Sequence, residues 1–201
     1  MTVSYRNRNG EVYFLSRIPT KRGRFRYHFA KQEKPNPVLK IPAGYEIYEH
    51  PNGQVFLRKK EAESFTREQI INIRGICDRF IDPSNYILNI QNQKLEIYIA
   101  QLATQQQEGT LTIEIQPDQA EIDSFVSKDV FDPVFRLSQT RSKNRTHYTI
   151  EKYYEDELPK HWLVVDNSAN LASLLRKQLQ KYRRYMQSYS KFQMDPDKRE
   201  N

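Results

Sequence analysis

The sequence predicts an α+β fold, mostly antiparallel β-hairpins with one central helix and a long C-terminal helix. Three observations predict it. Short runs of alternating apolar and polar residues recur between clusters of turn formers. Two stretches carry apolar residues at helical spacing. Neither a glycine-rich phosphate loop nor a strand–helix–strand alternation occurs, which sets aside a parallel α/β sheet. The predicted organisation is a basic β-hairpin module over 1–60, an α+β domain over 61–192 ending in an amphipathic basic helix, and a polar tail over 193–201.

Residues 12–17 and 24–31 are aromatic-rich and β-prone, and Pro19-Thr20-Lys21-Arg22-Gly23 between them reads as a strongly basic hairpin loop. In the second run Phe25, Tyr27 and Phe29 alternate with Arg24, Arg26 and His28, so one face is aromatic and the other cationic. Lys34-Pro35-Asn36-Pro37 is a connector, because its prolines disfavour helix and central strand alike. Residues 45–49 and 54–58 flank His50-Pro51-Asn52-Gly53, whose Asn-Gly predicts a hairpin because both residue types tolerate positive φ. The first sixty residues thus read as a four-stranded module.

Thr66 with Gln69 three residues on matches a capping box, and Ile70, Ile73, Cys77 and Phe80 follow at helical spacing until Asp82-Pro83 ends the helix. Residues 86–90 and 95–100 form a hairpin around Gln91-Asn92-Gln93, with Leu95, Ile97 and Ile99 on one face. After a glutamine-rich loop over 104–109, Leu111, Ile113 and Ile115 alternate with Thr112, Glu114 and Gln116 in a further strand. Residues 134–138 and 147–154 make another pair, joined by Thr140-Arg141-Ser142-Lys143-Asn144-Arg145, a loop with three cations and no acid. Residues 162–165 are the last strand. Asn167 or Ser168 then caps a long helix in which Leu171, Leu174, Leu175, Gln178, Leu179, Tyr182 and Met186 form one stripe.

Composition narrows the function classes. At 201 residues, 37% of them hydrophobic, the chain is long and apolar enough to bury a core, while 28% charged residues call for a very polar surface. No apolar run approaches the ~20 residues a membrane helix needs. The polar first ten residues lack the apolar stretch of a secretory signal, so the expected location is the cytoplasm. The single cysteine, Cys77, excludes an intrachain disulfide and a cysteine-cluster metal site, in keeping with a reducing compartment. The net charge of +7 is unevenly spread: +9 over 1–60, −7 over 61–137 and +5 over 138–201. The basic parts either meet the acidic middle within the molecule or face a polyanion.

Arg26-Tyr27-His28-Phe29, with Ile41-Pro42-Ala43-Gly44-Tyr45-Glu46-Ile47-Tyr48-Glu49 and Pro51-Asn52-Gly53-Gln54-Val55-Phe56-Leu57-Arg58 after it, resembles a module of an uncharacterised bacterial protein family, over about the first sixty residues. The resemblance implies a bacterial cytosolic origin and a discrete N-terminal module. It brings no activity, cofactor or catalytic residue with it.

The residues themselves yield no catalytic constellation. His28, His50, His147 and His161 sit far apart, with no pair at i, i+4, so neither a metal nor a cofactor is expected. Cys77 lies on an apolar stripe and reads as a buried structural thiol. His161 with Asp166 offers an acid/base pair on paper, against the plainer reading of His161 as a surface residue. Glu114-Ile115-Gln116 is faintly like the end of a metal-dependent nuclease motif, but the upstream aspartate that motif requires is not evident, Asp82 and Asp118 being candidates by composition only, and its plainer reading is an alternating strand.

Phosphate recognition, by contrast, needs dense exposed Lys and Arg, and the first hairpin carries Arg17, Lys21, Arg22, Arg24, Arg26, Lys31 and Lys34 against one acid, Glu33. The aromatic face reads first as the cover of the module's core and, where exposed, as a base-stacking surface. The leading reading is therefore a non-enzymatic protein that binds nucleic acid through Lys21, Arg22, Arg24, Arg26, Arg141, Lys143 and Arg145. The alternative is an interaction or assembly subunit docking a protein partner or a second copy of the chain through Tyr182, Arg183, Arg184, Tyr185 and Tyr189. A metal-dependent nuclease is the third.

Overall fold

The computed structural model describes residues 1–101, 130–143, 145–154 and 161–193, with side chains through 188. The protein is α+β, with three sheets and two α-helices among the described residues, and every strand pairing of described register is antiparallel. Of these residues, one compact unit holds 1–60, 100, 101 and 130–132, and the other holds 61–99, 133–143, 145–154 and 161–193. The strand expected over 111–116, the loop over 104–109 and the tail from 194 lie outside the described residues.

Residues 1–60 hold five strands rather than the four expected. β1 (Ser4–Arg6), in the stretch read as merely polar, joins β2 (Val12–Pro19) and β3 (Phe25–Ala30) in one sheet, and β4 (Tyr45–Glu49) pairs with β5 (Val55–Lys59) in another. β1 was illegible because three residues are too few for an alternating pattern to register. The apolar interior is Leu15, Phe29, Val38 and Val55, with Tyr27, Ile47 and Leu57 among its partly buried flanks.

One turn closes all three hairpins of this unit. Asn7, Thr20 and His50 each donate their N–H to the carbonyl four residues on (2.9, 2.7 and 2.8 Å), and Gly10, Gly23 and Gly53 donate back to those first residues (2.9, 3.0 and 2.8 Å). Each glycine closes a three-residue loop at a left-handed φ of +77°, +71° or +82°. The hairpin expected at Asn52-Gly53 forms with only Gly53 at positive φ, because a three-residue loop needs the left-handed conformation only at its last position. The turn with two left-handed residues belongs instead to Asn92 (+51°) and Gln93 (+59°).

Two of these hairpins are alike in sequence as well. Tyr5, Asn9, Gly10 and Val12 recur as Tyr48, Asn52, Gly53 and Val55, and the structure pairs Tyr5 with Tyr13 as it pairs Tyr48 with Phe56. Their ends interlock. The buried Asn7 side chain donates to the Gly53 carbonyl at 2.8 Å and accepts from the Glu11 N–H at 2.8 Å. Glu49 accepts from the Tyr5 hydroxyl (2.8 Å), the Arg8 N–H (3.0 Å) and Arg8 Nε (2.7 Å).

Burial alone raises the Glu49 pKa, but these Arg8 and Tyr5 contacts outweigh it and hold the carboxyl below its ordinary value near 4.5. A carboxylate depressed in the folded state stabilises above the unfolded pKa, and that contribution is lost as pH falls through the folded pKa. Urea denaturation should therefore show stability falling below about pH 4.5, with a shallower fall in Glu49→Gln. An equal pH slope in that variant would refute the assignment.

In the second unit, the predicted capping box forms: Thr66 Oγ1 accepts from the Gln69 N–H (3.2 Å) and Gln69 Oε1 from the Thr66 N–H (2.8 Å). It starts α1 (Arg67–Cys77), which ends before Phe80 and buries Ile73, Ile76 and Cys77. A five-stranded sheet runs in the order β10 (His161–Ser168), β9 (Arg145–Tyr154), β8 (Phe131–Ser142), β7 (Lys94–Ala100), β6 (Tyr86–Gln91). Leu95, Ile97, Phe135, Leu137 and Ile150 from the sheet pack with Leu171, Leu174, Leu175 and Leu179 of α2 (Leu171–Gln193). The cap of α2 is Asn170, whose Oδ1 accepts from the Ser173 N–H at 2.9 Å, rather than Asn167 or Ser168, because β10 continues through both.

Candidate functional site

The site is built from the turn between β2 and β3. Thr20 and Gly23 close it through backbone bonds, which leaves Lys21 and Arg22 at the tip, Arg24 beside it and Arg26 on β3 opposite Ile18. All four cations are exposed, and none has an ion pair among the described residues. Three other cations of this unit differ: Arg8 pairs with Glu49 (2.7 Å), Arg58 with Glu46 (2.8 Å) and Lys31 with Glu11 (2.8 Å). Lys31 thereby leaves the cationic set that the sequence groups around Glu33.

Alternation divides the aromatic face by depth. Phe29 is buried beside Leu15, Tyr27 is half-buried against the core and 5.7 Å from the Tyr45 ring, and Phe25 is 51% exposed at the hairpin end. The Arg17 guanidinium lies 4.6 Å from the Phe25 ring centroid. Two rings therefore serve the core, and one ring, capped by a cation, is exposed beside the exposed basic residues of the turn.

Arg141, Lys143 and Arg145 belong to the second unit. The strands continue as far as the pair Ser142 and Arg145, so four of the six residues expected in a loop belong to the strands, and Lys143 follows β8 at φ +29°. The sheet's alternation puts Arg141, paired with Thr146, and Arg145, paired with Ser142, on opposite faces of the ribbon. All three are exposed, and none has an ion pair among the described residues.

On α2, Tyr182 is half-buried, its ring edge-on to Phe135 at 5.8 Å, and Tyr185 is exposed with Lys152 Nζ 5.5 Å from its ring. Arg183 and Arg184 are exposed without an ion pair among the described residues, and the Tyr189 side chain lies outside them. Gln178, Lys181, Tyr182 and Tyr185 share one helix face at i, i+3, i+4 and i+7 and line a pocket, a pattern legible in the sequence once the helix is placed.

The remaining candidates hold structural positions. Cys77 is fully buried, and burial pushes its thiol up to about 12, so it stays protonated at neutral pH. Asp166 is engaged by Lys177 (2.8 Å) and Gln178 (2.9 Å), while the His161 ring lies 6.2 Å from that of Tyr154. Asp82 caps a short 3-10 turn through Ser84. Glu114 and Asp118 lie outside the described residues, and among those residues no three His, Cys, Asp or Glu side chains gather to hold a metal. Among them, too, no helix is long and apolar enough to cross a membrane. No family model, curated protein or solved structure matches the chain.

Proposed function

We propose that the protein is a non-enzymatic cytoplasmic binding protein that recognises nucleic acid through the end of the β2–β3 hairpin. The observation that supports this reading is a contrast in pairing among the described residues: Arg8, Lys31 and Arg58 are each neutralised by a glutamate, while Lys21, Arg22, Arg24 and Arg26 are exposed with no ion pair among those residues. Unpaired cations on an exposed turn are what phosphate contact needs, because binding gains free energy by releasing the counterions of the polyanion. Phe25 under Arg17 adds a ring on which a base can stack. Arg141, Lys143 and Arg145 offer a second set of phosphate contacts.

The test is fluorescence anisotropy against labelled single- and double-stranded DNA and RNA at two salt concentrations. Four phosphate contacts give a log–log salt slope of about −3.6 on duplex, so raising salt from ~50 to ~200 mM should weaken binding on the order of 10²-fold. No binding at the lower salt would overturn the proposal.

A second reading, docking of a protein partner through α2, is favoured by the exposure of Arg183, Arg184 and Tyr185 on its surface. Under it, Arg183→Glu with Arg184→Glu abolishes recovery of the partner in a pull-down, and reversal of the hairpin charges leaves it intact.

A further inference from the structure

The core of the second unit changes character along α2. As far as Leu179 the inward stripe is leucine, which packs directly on the sheet. Beyond it, a pocket of about 360 Å³ opens between the helix and strands β8, β9 and β10. Tyr182 and Tyr185 form its helix side, with Lys181 between them and the buried Gln178 one turn back. Phe135, Lys152, Tyr154 and Val165 form the sheet side.

Two features of this pocket bear on what it holds. Its walls are largely aromatic, with the Lys152 ammonium 5.0 Å from the Tyr154 ring and 5.5 Å from the Tyr185 ring. Among the described residues its charge is of one sign: Lys152 and Lys181 both line it, no described carboxylate does, and neither lysine has an ion pair among those residues. Asp166, reached by Gln178 at 2.9 Å, is already engaged by Lys177. Two ammonium groups in one partly enclosed space repel each other unless an anion joins them. Ring walls in turn favour a flat apolar body over a bare inorganic ion.

We infer that this pocket binds a small aromatic anion, a planar ring system bearing a carboxylate, sulfonate or phosphate that meets Lys152 and Lys181 while its rings lie among Tyr154, Tyr182 and Tyr185. The volume lies at the lower end of the range for small-molecule sites.

The experiment titrates the full chain with anilinonaphthalene sulfonate, a fluorescent aromatic anion, and then displaces it. One saturable site with Kd ~10–50 µM is expected for a ligand of this size. Phenyl phosphate should displace the dye, while phenol and inorganic phosphate at equal concentration should not. Lys152→Met and Lys181→Met, which keep the apolar stem, should each weaken binding about tenfold or more. Dye emission that never saturates, displacement by phenol as effective as by phenyl phosphate, or binding within about twofold of wild type in the folded double variant would each overturn the inference. The competitor series needs no variant, so it decides the matter even if the lysine substitutions unfold the chain. Neutralising Arg22, Arg24 and Arg26 to Gln should leave the dye site unchanged. Loss of dye binding in that variant would place the dye on the hairpin and also overturn the inference.

Discussion

Reversal of Arg22, Arg24 and Arg26 to glutamate should abolish nucleic-acid binding while leaving the protein as stable as wild type. Removing three of the four phosphate contacts lowers the steepness of the salt dependence by about 2.7 on duplex, and repulsion from the new carboxylates lowers affinity further, on the order of 10³-fold at ~50 mM salt. Stability should change by no more than about 0.5 kcal/mol, because these side chains are exposed and the turn beneath them is closed by the backbone of Thr20 and Gly23. The control is Arg8→Glu, which makes the same charge reversal at a single site elsewhere in the unit, breaks the pair with Glu49 and leaves that half-buried carboxylate facing a like charge. It should lower stability and leave a smaller effect on binding. Anisotropy and urea denaturation on the same two variants separate the outcomes. A triple variant that still binds at wild-type strength would remove the hairpin as the interface.

Gly53→Ala should destabilise the protein by about 3 kcal/mol, whereas Gly10→Ala and Gly23→Ala should cost only ~1–2 kcal/mol each. All three glycines close the same turn at nearly the same φ, so the strain of a side chain in the left-handed region is common to them. The neighbours differ. A Cβ at Gly10 or Gly23 meets nothing within 4 Å, but at Gly53 it would lie 2.5 Å from Asn9 Nδ2 and 3.1 Å from Asn7 Nδ2. Asn9 is exposed and can swing aside. Asn7 is buried and held by its bonds to Glu11 and to Gly53 itself, so displacing it disturbs hydrogen bonds that have no water to replace them. Equal melting-temperature losses in the three variants would show that the interlocked hairpin ends contribute nothing beyond the turn.

Several elements were legible because their determinants are local. The capping box at Thr66 and Gln69, the alternation of Leu95, Ile97 and Ile99, and the leucine stripe of α2 each report contacts within a few residues along the chain, and each forms as read. Where the reading went astray, longer-range pairing had intervened. Asn167 and Ser168 are sound caps by composition, but pairing with β9 draws both into β10 and moves the cap to Asn170. Arg141 and Arg145 belong to a cation-rich stretch, but pairing of β8 with β9 carries the strands through it and turns the two side chains to opposite faces.

The candidate site divides in the same way. That the β2–β3 turn is basic follows from the sequence itself, since consecutive cations in a turn stay at the surface whatever surrounds them. Which of its cations are uncompensated, and which aromatic ring faces solvent, does not follow. Glu11, Glu46 and Glu49 neutralise Lys31, Arg58 and Arg8 across pairings set by the sheets and by the interlocked turns, and Phe25 is exposed because it sits past the end of the core that covers Tyr27 and Phe29. The sequence alone determined the α+β class, the helices and the basic character of the hairpin, because periodicity, caps and turn chemistry act over one or two turns of chain. Only the tertiary structure decided which cations pair among the described residues and that Lys152 shares a pocket with Lys181, because a charge's partner and a pocket's opposite wall come from residues far away in sequence.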